Sequence, residues 1–74
     1  MTDREEAQTA FAGLLLDRIR RDKYPSMTQM QILEQVIPRP LVREYLNVLL
    51  EKVIVEKWPS VSMLQRIARI TQHV

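Results

Sequence analysis

One seven-residue stretch occurs twice and limits what this chain can fold into. Asp22-Lys23-Tyr24-Pro25-Ser26-Met27-Thr28 returns thirty-four residues later as Glu56-Lys57-Trp58-Pro59-Ser60-Val61-Ser62. Each copy follows a long apolar run with helical spacing and leads into a shorter one. Proline ends a helix, because it lacks an N–H and drives the preceding residue out of the α region. The serine behind it suits a helix N-cap. Each copy therefore reads as the corner of a helix–turn–helix hairpin.

Aligning Ala10–Val36 with Glu44–Ile70 gives 27 pairs, of which six are identical and twelve conservative. The identities include Leu15/Leu49, Leu16/Leu50, Lys23/Lys57, Pro25/Pro59 and Ser26/Ser60. Apolar positions match apolar positions, and cap positions match cap positions, as a duplicated hairpin requires. The expected fold is all-α. One domain over 1–74 holds four helices as two tandem hairpins, about 3–37 and 40–74, each long then short and related by a pseudo-twofold.

Four helices follow from the periodicity. The first is expected from about Asp3 to Asp22, with acids in its first turn and Arg18, Arg20, Arg21 and Lys23 at its end, both favourable to the helix dipole. Its buried stripe is read as Ala7, Phe11, Leu14, Leu15 and Ile19, widened by Leu16. The single glycine, Gly13, falls inside it and marks either a close crossing or a tolerated weakness. The second starts at Ser26 or Thr28, buries Met27, Met30, Leu33, Val36 and Ile37, and turns Gln29, Gln31, Glu34 and Gln35 to water. The third, about Pro40 to Glu56, is apolar on most sides and so belongs in a core or an interface. The fourth begins at Ser60 or Ser62 and runs toward His73. Leu64, Ile67, Ala68 and Thr71 form its stripe, Met63, Ile70 and Val74 extend it, and Arg66, Arg69 and His73 lie outside.

Composition narrows the function. The chain has 74 residues, no cysteine, 46% hydrophobic and 27% charged residues. It is globular in composition, lacks a disulfide framework, and sits near the size at which a core needs efficient packing or a partner subunit. One glycine leaves little for a phosphate-cradling loop. His73 has no evident orienting partner for catalysis. Met1, Met27, Met30 and Met63 are too scattered for a metal site, and Asp17 and Glu51 lie beside Arg18 and Lys52 as surface ion pairs. No enzyme, cofactor, metal or small-molecule substrate is expected. No apolar run spans a membrane and the charged N-terminus opens no signal peptide, so the expected location is the cytoplasm.

The mismatches between the copies point to partners. Arg20 and Arg21 align with Ile54 and Val55. If the hairpins share a shape, Ile54 and Val55 are apolar groups at wet positions. With Leu50 and Trp58 they form a patch for another protein or a second copy. If the hairpins pack asymmetrically, they are core. Tyr24 and Trp58 read first as aromatics that close the corners. The favoured function is a small helical protein–protein interaction module, homodimeric through the third helix and the Trp58 corner. The alternative is a nucleic-acid-binding regulator that uses a basic face of the first and fourth helices, formed by Arg18, Arg20, Arg21, Lys23, Arg66 and Arg69.

Overall fold

A computed structural model describes residues 3–55 and 61–72. Four helices follow in order: α1 (Asp3–Arg21), α2 (Met27–Val36), α3 (Arg39–Ile54) and α4 (Val61–Thr71). Among the described residues there is no strand. No described helix is long and apolar enough to cross a membrane.

The ends are set by local chemistry. Asp3, Glu5 and Glu6 occupy the first turn of α1, and Arg18, Arg20 and Arg21 the last. Pro25 is buried in the corner. Ser26 caps α2, its hydroxyl accepting a hydrogen bond from the Gln29 N–H at 3.0 Å. That satisfies one of the donors a helix start leaves orphaned. Pro38 is the N-cap of α3, and the helix takes in Arg39 ahead of Pro40, one residue earlier than the sequence suggested. The corner containing Trp58, and Ser60 with it, lies outside the described residues.

α1 packs on α2, α3 packs on α4, and α1 also meets α3. Ala12, Leu16 and Ile19 from α1, Met30 and Leu33 from α2, Tyr45, Val48 and Leu49 from α3, and Met63 and Ile70 from α4 make the core. Two expected stripes are corrected by this packing. In α1 the buried side is Ala12–Leu16–Ile19, whereas Ala7, Phe11 and Leu14 are exposed, Leu14 by 67%. In α4 the buried line is Met63 and Ile70, with Arg66 and Ile67 half-buried between them, while Leu64, Ala68 and Thr71 are exposed. Met27 of α2 is also exposed, whereas Glu34, expected on the wet side, is half-buried. The physical reason is shared. Each of these helices carries apolar residues around more of its circumference than one neighbour can cover, and periodicity alone does not choose which part turns inward.

The two halves bury different positions. Aligned at the thirty-four-residue offset, the buried Tyr45, Val48, Leu49, Lys52, Met63 and Ile70 correspond to Phe11, Leu14, Leu15, Arg18, Gln29 and Val36. None of those six is among the buried residues of the first half. Leu14 and Val48 show the contrast most sharply, 67% against 5% exposed.

Candidate functional site

The third helix ends in exposed apolar side chains. Ile54 is 72% exposed, Val55 64% and Leu50 38%. Val61 and Leu64, at the start of α4, are exposed as well. Within the single chain this answers the question the repeat raised, for Ile54 and Val55 are not core. On α3, Leu50 and Ile54 are four residues apart and share one side of the helix. The half-buried Leu46 and Val53 flank that side and lead back to the core. Trp58, assigned to the same patch from the sequence, lies outside the described residues.

The basic residues of the expected face are divided between two helices. α1 and α4 are not packed on each other. Arg20 donates to the Glu44 carboxylate at 2.7 Å. Arg21 pairs with Asp17 at 3.1 Å, and Arg18 with Asp22 at 3.8 Å. Lys23 holds its ammonium 5.7 Å from the centre of the Tyr24 ring. Exposed pairs of this kind contribute little to stability, but each cation already has a neighbour.

Arg66 is a correction. The helical period places it on the outer side of α4, yet its side chain is only 11% exposed. Its Nη1 donates to both oxygens of Glu34 at 2.6 Å. The Tyr45 hydroxyl donates to the same carboxylate at 2.5 Å. Arg69, mostly exposed, reaches Glu34 at 3.6 Å. The phenol of Tyr45 is held well above its ordinary 10.0, first by burial and then by the hydrogen bond and negative charge of Glu34. This network joins α2, α3 and α4, and its members Glu34, Tyr45 and Arg69 line a cleft of about 270 Å³ whose other walls are Ile37, Val42 and Ile70.

The sequence places Lys52 at the surface beside Glu51. It is instead buried, 6% exposed, and its ammonium donates to the backbone carbonyls of Arg20 at 2.7 Å and Asp22 at 2.5 Å. Those carbonyls end α1 with no helical partner, and a cation there also meets the negative end of the dipole. Gln8 serves α2 in the same way, its Nε2 donating to the Val36 carbonyl at 2.9 Å. The signals for both corrections were present. Arg66 lies three residues after Met63 and four before Ile70, and Lys52 lies seven after Tyr45 and three after Leu49. Both positions fall on the apolar line of their helix, where a charged residue needs a buried partner.

Among the described residues no three His, Cys, Asp or Glu side chains converge as metal ligands would. The polar groups that do converge are engaged with one another between helices, and the apolar ones face outward on α1 and on the α3–α4 edge. Comparison with protein-family models, curated proteins and solved structures returned no match.

Proposed function

We propose that this protein is a helical interaction module that acts by presenting an apolar helix face to another polypeptide, that it self-associates as a homodimer, and that it performs no chemistry of its own. The observation that carries the reading is the set of large apolar side chains facing outward from the folded chain: Phe11 and Leu14 on α1, Leu50, Ile54 and Val55 at the end of α3, and Val61 and Leu64 on α4. Single exposed apolar residues are ordinary, whereas groups of them on one helix side mark interaction surfaces.

The two hairpins, in this reading, descend from one unit whose apolar stripes took on different partners, inside the chain in one copy and outside it in the other. Aspartate at Ile54 tests the exposed patch. Because Ile54 is already in water, Ile54→Asp leaves the thermal transition within the range of ordinary surface changes, about 0.5 kcal/mol. A core residue changed in this way would unfold the chain. Sedimentation over a concentration series tests the homodimer. A mass that climbs with concentration supports it, and a strictly monomeric species at high micromolar concentration removes it.

A further inference from the structure

We propose that the homodimer forms through α1, which pairs antiparallel with α1 of a second copy along its outward face. This deepens the self-association reading above and rests on it. The side of α1 opposite Ala12, Leu16 and Ile19 carries Ala7, Ala10, Phe11 and Leu14, all exposed. Their spacing of three and four keeps them on one side of a helix of 3.6 residues per turn. Asp3 and Arg4 continue that side at one end, and Asp17, Arg18 and Arg21 at the other.

Two observations name the occupant. The first is the aligned stripe in the second half of the chain. Ala7, Phe11, Leu14 and Arg18 align with Leu41, Tyr45, Val48 and Lys52. On α3 that stripe is turned into the molecule, with Tyr45 bonded to Glu34 and Lys52 to the end of α1. The stripe that meets helices of its own chain in one copy stays exposed in the other.

The second is charge. A twofold axis between Ala10 and Phe11 sets Ala7 opposite Leu14 of the second copy, with Ala10 meeting Ala10 and Phe11 meeting Phe11 on the two flanks. The same register brings the acidic first turn of each copy, with Asp3, to the basic last turn of the other, with Arg18 and Arg21. Apolar meets apolar in the middle, and opposite charges meet at both ends. A parallel pairing in register would set Asp3 against Asp3 and Arg18 against Arg18, which is unfavourable. The alanines also let the two axes approach to the ~8–10 Å of packed helices. Arg18 and Arg21 now hold Asp22 and Asp17 in exposed i, i+4 pairs, which exchange partners at little cost. The α3–α4 edge is then left free for a different polypeptide.

The test is a charge-reversal cycle followed by sedimentation velocity at low salt, with circular dichroism melts as a check on folding. Arg18→Asp alone and Asp3→Arg alone each set like charges together at both ends, and each should weaken the dimer about tenfold or more. The double variant Asp3→Arg/Arg18→Asp should recover it. Ala10→Cys gives an independent readout, because the chain has no other thiol. Mild oxidation should link Ala10→Cys into a dimer and leave Gln35→Cys, on the outer side of α2, monomeric. If the wild-type protein dimerises but neither single reversal weakens it, or the double variant fails to recover, the α1 pairing is wrong. Loss of the dimer in Ile54→Asp with the α1 variants unaffected overturns it as well and moves the contact to α3, leaving self-association in place. A wild-type monomer at every concentration removes both.

Discussion

Lys52 shows how much one side chain decides in a molecule this small. Its buried ammonium closes the end of α1 by taking two carbonyls that have no helical donor. Replacing it with methionine keeps the apolar stem but leaves those carbonyls unpaired. Lys52→Met should therefore destabilise the chain by about 2 kcal/mol, read as a lower denaturant midpoint. Glu34 and Arg66 form the other polar contact inside the fold. Glu34→Ala strands a nearly buried guanidinium and should cost about 3 kcal/mol or more, whereas Glu34→Leu combined with Arg66→Met and Tyr45→Phe, which leaves no member of the network unpaired, should be close to neutral. Urea unfolding of the three variants checks the contrast. Tyr45 adds a pH dependence. Its phenol keeps its proton in the folded chain to a higher pH than in the unfolded one. The unfolded chain therefore releases a proton that the folded chain retains, and stability falls as pH rises above about 10. Below that pH the contribution is fully present. Tyr45→Phe should melt lower at neutral pH, because a hydrogen bond to Glu34 is lost, and should show less of the alkaline decline. None of these three roles was legible as such in the sequence. A charged residue on an apolar line signals a buried partner, but only the packing of separate helices tells which.

At the scale of the element, the sequence was a good guide to where helices lie and a poor one to which side they bury. Both prolines of the second joint, the Ser26 cap and the acidic and basic ends of α1 are local signals, and the helix bounds follow them within about a turn. The core side is a different matter. α1 carries two apolar lines, Ala7–Phe11–Leu14 and Ala12–Leu16–Ile19, and both have helical spacing. Choosing between them requires knowing where α2 and α3 sit, which no single helix encodes. The same holds for α4, where Met63 and Ile70 go in and Leu64 stays out. Gly13 belongs at this scale too. A Cβ added there meets nothing within 4 Å, so no close crossing inside the chain requires the glycine. Gly13→Ala should stabilise the helix by about 0.5–1 kcal/mol. By thermal melting that is an upward shift of roughly 4 °C for a domain of this size.

The whole molecule is elongated. Its principal extents are 39 × 25 × 18 Å and its radius of gyration is 12.2 Å, against about 11.3 Å expected for a compact chain of this length. The four helices, 10 to 19 residues long, enclose little interior, and apolar residues that find no room inside are carried on the surface. The duplicated corner made the four-helix arrangement readable, and the break in the repeat at Ile54 and Val55 directed attention to the exposed end of α3. The outward face of α1 is hidden in the sequence because Ala7, Phe11 and Leu14 have the spacing of a core stripe. What unites these surfaces is the claim that the folded chain is incomplete alone. Sedimentation equilibrium of the wild-type protein from low to high micromolar concentration tests it directly. The average mass is expected to rise from 8.8 kDa toward twice that value. A mass that stays at the monomer value across the whole range would contradict it.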